Sequence, residues 1–320
     1  MSDAKQESQW QEKITGEWYG CPSVFDINGH HKGFNKVNRS SVFENGQTTY
    51  YMDTKLDVTG DLRSRFEAQN FAFGVQDSDQ DRIYMGPDFF GAGQPYGTLV
   101  DAHYYSPGWT SDLKTMVHIL PDGKTQVYSS LLYEGPRLIS VFNGIYLMAT
   151  DYETNPETKA KIDSFVDLEK SRGNQPHVLP MKKAGVFRGE FEVFDSQQQK
   201  VGSNFVKMDY KPLDLKRAVV SLSMEGVVNE KLEFTRNREG LRHDFCGPEV
   251  FGNAFAYGRA LYTSQHFKGR ARQLKGRDFV IDDKNTMSCV WQIMDSGKNA
   301  YTMFGTLEFE ETEEILKAQY

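Results

Sequence analysis

Short runs of alternating apolar and polar residues dominate the chain, interrupted by two helix-like stretches. Phe66, Phe71, Phe73 and Val75 sit among polar neighbours, and the run from Gln126 to Tyr133 is short and rich in β-formers. A period of two sends successive side chains to opposite faces, which predicts half-buried strands. Asn28-Gly29, Asn45-Gly46, Thr59-Gly60-Asp61 and Asp122-Gly123 punctuate these runs. Asn-Gly and Asp-Gly suit tight hairpins, whose two central residues need positive φ. A polar stretch at residues 3–14 places Trp10 and Ile14 on one side, as a short helix closing a barrel end would. A second helix is predicted over 155–168. Pro156 sits in its first turn, and Ile162, Phe165, Val166 and Leu168 give it an apolar stripe. Ser171 to Pro180 reads as a linker, and Glu308 to Tyr320 as a strand end with a frayed helix.

The strand-rich pattern occurs twice. Gly86-Pro87-Asp88-Phe89-Phe90-Gly91, followed by Tyr96-Gly97, returns as Gly247-Pro248-Glu249-Val250-Phe251-Gly252, followed by Tyr257-Gly258. The offset is 161 residues, and it also matches Asp122 with Asp283 and Phe73 with Phe234. Nearer the start the offset is 169: Gly16 faces Gly185, Trp18 faces Phe187, Val24-Phe25-Asp26 faces Val193-Phe194-Asp195, and Gly33 faces Gly202. Each unit runs about 130 residues, a single-domain length. The chain is therefore a domain duplication, not a solenoid of small repeats. Expected boundaries are 1–150 for a barrel with its leading helix, 151–184 for a helical linker and 185–320 for a second barrel. Many short strands with hairpin turns in each unit predict an all-β sandwich or up-and-down barrel.

Composition narrows the class. A net charge of −7 argues against nucleic acid as the main partner. Cys21, Cys246 and Cys289 follow no metal or redox spacing and read as buried thiols in a reducing compartment. The polar start lacks the apolar core of a secretory signal, and no apolar run nears the eighteen or so residues of a spanning helix. A soluble, cytoplasmic protein without membrane or nucleic-acid partners is expected, and a homodimer is compatible with it.

Gly16-Glu17-Trp18, ahead of a duplicated β-meander, resembles the Gly-x-Trp opening of lipocalins, and Thr150-Asp151-Tyr152 resembles their second motif. The resemblance implies two tandem lipocalin-like antiparallel barrels with short terminal and linker helices, the tryptophan packing across a closed end. Tandem barrels of this kind are found among uncharacterised cyanobacterial proteins, carotenoid hydratases and cyclases of natural-product pathways. Fold does not fix function.

The candidate chemistry lies on the strand after the repeated motif. With a period of two, Asp101, His103 and Tyr105 share one face. There His103 is expected to transfer a proton, Asp101 to set its tautomer and Tyr105 to donate to developing negative charge. The matching positions of the second repeat are Tyr262, Ser264 and His266. Trp109, His118, Tyr128, Tyr96, Tyr257, Tyr262 and His266 are the expected ligand-binding side chains. The run from Lys268 to Arg277 carries five positive charges and no negative one, which suits an acidic ligand or partner. Asp88 and Glu249 are expected to bind backbone amides in their turns. Neither His30-His31 nor the Asp77, Asp79, Asp81 series, which has Arg82 where a calcium loop needs glycine, makes a convincing metal site. No metal or cofactor is expected.

Two functions fit. One is a cofactor-independent isomerase, cyclase or hydratase, acting on a small apolar or conjugated metabolite inside a barrel or between barrels. The other is a non-catalytic carrier for a small hydrophobic or aromatic molecule. The enzyme is placed first because a plain carrier needs only one barrel.

Overall fold

The alternation closes on itself. We describe a computed structural model over residues 9–45, 47–62, 69–77, 82–86, 89–106, 110–148, 155–172, 183–282 and 284–314. The first unit contains α1 (Gln9–Ile14), β1 (Gly16–Gly20), β2 (Ser23–Asp26), β3 (His31–Glu44), β4 (Gln47–Val58), β5 (Gln69–Asp77) and β6 (Arg82–Gly86). It continues through β7 (Phe89–Tyr96), β8 (Leu99–Ser106), β9 (Ser111–Ile119), β10 (Thr125–Glu134), β11 (Arg137–Met148) and α2 (Pro156–Arg172). The second unit contains β12 (Lys183–Asp195), β13 (Lys200–Pro212), β14 (Arg217–Gly226), β15 (Glu230–Glu239) and β16 (Arg242–Cys246). It ends with β17 (Val250–Tyr257), β18 (Ala260–Phe267), β19 (Arg272–Val280), β20 (Met287–Asp295) and β21 (Lys298–Glu314).

Each unit is a closed antiparallel meander of ten strand positions. In the second, β12 to β21 pair in sequence order and β21 returns to β12. In the first, β1 and β2 share one position: both pair with β3 on one side and with β11 on the other. The interruption falls at Cys21-Pro22, and a proline has no N–H to give to the ladder. The registers agree pair for pair. Trp18 opposes Arg39 as Phe187 opposes Met208, and Val24 opposes Gly33 as Val193 opposes Gly202, with a bulge following in both barrels.

The repeated motif has a physical reason. A side chain at Gly91 would run into the backbone of His103 and Tyr104 on β8, and one at Gly252 into Ser264 and Gln265 on β18. Gly97 and Gly258 take φ of 57° and 56° in the hairpins that follow β7 and β17, where other residues are strained. Glu249 is exposed, and its backbone carbonyl accepts from the Lys268 amide at 2.8 Å. Asp88 lies outside the described residues.

Cores follow the parity of the strands. On β14, Ala218, Val220, Leu222 and Met224 are buried in alternation. Phe187 and Phe191 are wholly buried, with Phe309 and Trp291 at 4.6 and 4.9 Å between ring centroids. In the first barrel Trp18 is equally buried and donates Nε1 to the Ile14 carbonyl at 2.8 Å. That bond ties the end of α1 to the barrel floor.

The chain divides into Met1–Gln175 and Pro176–Tyr320, so the second helix is not a free linker. Asn155 accepts from the Thr158 amide at 3.1 Å, an N-cap ahead of Pro156. Ile162 and Phe165 are buried, and Glu169 accepts from Ser23 Oγ of β2 at 2.9 Å. Val166 and Leu168 are only half-buried. All three cysteines are free thiols, but Cys246 is exposed, contrary to the expectation of three buried ones. Among the described residues, no helix is long and apolar enough to cross a membrane.

Because Gly252 faces β18 backbone, Gly252→Ala is expected to destabilise the second barrel by roughly 1–3 kcal/mol. Urea unfolding measures the loss. An unchanged midpoint contradicts the close-approach account of the motif.

Candidate ligand site in the first barrel

Inward positions converge on a cavity of about 120 Å³. Strand parity supplies Val37 and Arg39 from β3, Tyr50 and Met52 from β4, Phe73 from β5 and Tyr84 from β6. The far wall carries Val100, Ala102 and Tyr104 of β8, Thr115 and Val117 of β9, Tyr128 of β10 and Tyr146 of β11. Trp10 and Ile14 of α1, with Asn35, Thr54, Leu113 and Phe142, complete the lining.

The wall is aromatic. Tyr50 stacks on Phe73 at 5.1 Å, Tyr84 tilts against Tyr104 at 6.0 Å, and Tyr128 meets Tyr146 edge-on at 5.2 Å. Burial raises the phenol pKa values of Tyr104, Tyr128 and Tyr146, so all three stay neutral hydrogen-bonding groups. Thr115 Oγ1 donates to the Tyr104 hydroxyl at 3.2 Å and lies 2.9 Å from Ser130 Oγ.

A cation sits among these rings. The Arg39 guanidinium lies 5.9 Å from the Trp18 and Tyr50 ring centres and 5.7 Å from that of Tyr146. It donates Nη2 to Gln126 Oε1 at 3.0 Å, while its buried Nε has no hydrogen-bond partner. Burial lowers its pKa from the ordinary value, Tyr50 and Tyr146 oppose that shift, and Arg82 adds to it. An arginine stays charged under such shifts. Arg82, almost wholly buried, donates Nη2 to the Tyr50 hydroxyl at 3.2 Å. Among the described residues, none of the side chains lining the cavity is Asp or Glu.

Most side chains singled out in the sequence lie elsewhere. Asp101, His103 and Tyr105 do share one face of β8, but the cavity takes the other parity, Val100, Ala102 and Tyr104. His103 is exposed on the outside, with Nε2 3.3 Å from Asp112 Oδ1 of β9. Tyr105 is exposed too, and Asp101 is half-buried. The expected acid–base group therefore does not face an enclosed substrate. His118 is buried, yet adjacent Val117 takes the inward position; burial pushes its pKa down to about 4, leaving it neutral. Tyr96 pairs with Leu99 on the outer parity of β8 and donates its hydroxyl to Gln94 Oε1 at 3.0 Å.

The second-barrel candidates are outward as well. Tyr257 packs on Tyr262 at 6.1 Å, Tyr262 lies under Arg277, and His266 stacks on Phe251 at 5.2 Å. Trp109 and Thr150-Asp151-Tyr152 lie outside the described residues. Tyr128 does line the cavity. The basic run from Lys268 is not an open anion site either. Arg270 and Arg272 both reach the buried Glu230, at 2.9 and 2.7 Å, and Lys268 donates to the Gly247 carbonyl at 2.7 Å. His31 is wedged between Phe25 and Phe34, and His30 lies 3.2 Å from Asp26.

Comparison with known proteins bears on the fold. No protein-family model matches the chain, and no curated protein matches it. A crystal structure of a protein of unknown function, from the DUF3598 family of Nostoc punctiforme PCC 73102, superposes with a TM-score of 0.56 at 12% identity. The match covers 96% of this chain and all of that one. A mutant porin of Rh. blastica aligns over 92% of this chain and 98% of its own at 5% identity, and its TM-score of 0.21 carries no argument. The cyanobacterial protein shares the fold, and its function is itself unknown.

His103→Ala removes an exposed pair and is expected to change stability by less than about 1 kcal/mol. It should leave ligand binding in the first barrel unaltered. A large loss of binding in a titration would return this strand face to the site.

Proposed function

We propose that the first barrel binds one small organic anion with an aromatic or apolar body, of the aromatic carboxylate class. The observation that carries this reading is Arg39, a cation at the wall of the barrel cavity, whose described lining contains no acid. A buried charge without an opposite charge is costly, and an anionic ligand supplies the missing partner. The Arg39 Nε–H is a donor in want of an acceptor. Neutral tyrosines nearby add donors, and their rings together with Phe73 and Trp10 suit a flat apolar body.

Size agrees with a single-ring ligand. The cavity is about 120 Å³, close to the ~150 Å³ engineered apolar cavity that takes up benzene. Binding, not turnover, is the function read here, because the acid–base residues expected of an enzyme face away from the cavity.

Benzoate is expected to bind the full-length protein about tenfold or more tightly than benzamide, since a hydrogen bond to a charged group contributes about 1.5–3 kcal/mol. Arg39→Met should erase that preference and leave stability within about 1 kcal/mol of wild type or above it. Isothermal titration and urea unfolding read the two effects. Equal affinity for benzoate and benzamide, or benzoate binding indifferent to Arg39→Met, overturns the proposal.

A further inference from the structure

The second barrel has its own, smaller cavity, and its polar groups stand at other positions. Met208 occupies the place of Arg39, and Asp278 paired with Cys289 occupies that of Val117 paired with Tyr128. On β15, Arg236 stands where the first barrel has Val75, each paired with an aromatic residue of the next strand. Arg236 and Asp278 both line a cavity of about 60 Å³, together with Thr263, Gln265 and Trp291. That volume is well above the ~10–15 Å³ that admits one water.

Arg236 and Asp278 form no ion pair with each other. Asp278 accepts from Trp291 Nε1 at 2.8 Å and shares a hydrogen bond with the Cys289 thiol. Arg236, 6% exposed, donates Nε to His243 Nδ1 at 2.7 Å and bonds to the Tyr210 hydroxyl. That geometry fixes the imidazole: Nδ1 accepts, so Nε2 carries the proton. Burial, then Arg236 and Arg238, hold His243 neutral, its pKa pushed down to about 2. Two buried donors remain without a partner, Arg236 Nη1 and His243 Nε2. Buried donors without acceptors call for a bound acceptor.

We propose that the second barrel is a site for one small oxyanion, of formate or nitrate size, held by Arg236 Nη1 and faced across the cavity by Asp278. A guanidinium edge suits a planar oxyanion. The carboxyl opposite helps only when protonated, because it then donates instead of repelling. Burial raises the Asp278 pKa to about 6, while bonds from Trp291 and Cys289 and the charge of Arg236 oppose the rise. Among the groups named around it, Cys289 and Tyr210 have pKa values raised by burial and stay neutral, as does His243. Arg236 is the cation acting on it. Anion uptake is therefore coupled to proton uptake at Asp278.

The coupling has a signed counterpart in the empty protein. A carboxyl with a folded pKa above its unfolded value stabilises fully below the unfolded value, and that contribution is lost as pH rises through about 6.

The test uses the full-length protein carrying Arg39→Met, so that the first barrel's guanidinium contributes nothing. ¹³C-formate line broadening and isothermal titration with formate and nitrate are run at pH 5.5 and 7.5. Binding is expected at the lower pH and roughly tenfold weaker at the higher, following proton linkage. Adding Arg236→Met should abolish binding. Adding Asp278→Asn should keep it and remove both its pH dependence and the loss of stability between pH 5.5 and 7.5. Absence of formate and nitrate binding at pH 5.5 means that water alone fills the cavity and overturns the proposal, as does binding that survives Arg236→Met. Should Arg236→Met fail to fold, a pH dependence unchanged in Asp278→Asn overturns it equally.

Discussion

Closing an antiparallel sheet cuts every second side chain off from bulk water. Barrel size follows from strand number and tilt, so inward groups share a fixed volume and must satisfy one another. Outward groups face no such demand. The outer pairs, His103 with Asp112 or Arg217 with Asp214, are exposed and contribute little. Inside, each polar atom has to find a neighbour, and the few that do not are the informative ones. Arg39 Nε in the first barrel and Arg236 Nη1 in the second both belong to this set. Each is held by rings or a histidine on one side and opens onto a cavity on the other.

Much of the frame was legible in the sequence. The repeated Gly-Pro motif and Tyr-Gly pair mark equivalent strands, and the 169-residue offset reproduces the observed register from Trp18 and Phe187 onward. Trp10 and Ile14 stand where a capping helix needs them. The site was less legible because a period of two says which residues share a face, not which face is inside. On β8, Tyr104 and Tyr105 are chemically alike, so composition gave no hint of the parity. Val100 and Ala102, apolar beside Asp101 and His103, were the available signal. Arg39 stands on the parity of Val37, and only three-dimensional closure turns that into a cation lining one cavity with tyrosines from five other strands. The basic run near Lys268 was misleading for another reason: its counter-charge, Glu230, is about forty residues away in sequence.

The duplicated units keep one frame and differ in its filling. Pair for pair, Arg39 and Met208, Val117 and Asp278, and Tyr128 and Cys289 occupy equivalent positions with unlike chemistry. Backbone pairing tolerates these exchanges because the ladder does not read side chains. Each barrel can thus acquire its own interior without disturbing the strand order that both share.

One difference between the copies concerns mechanics more than chemistry. Where β12 runs unbroken for thirteen residues, the matching wall of the first barrel is split at Cys21-Pro22 into β1 and β2. A missing N–H removes one rung, and Gly144 of β11, with no side chain to brace it, lies against that proline. The copies are therefore unequal as containers: the one with the larger chamber also has the seam.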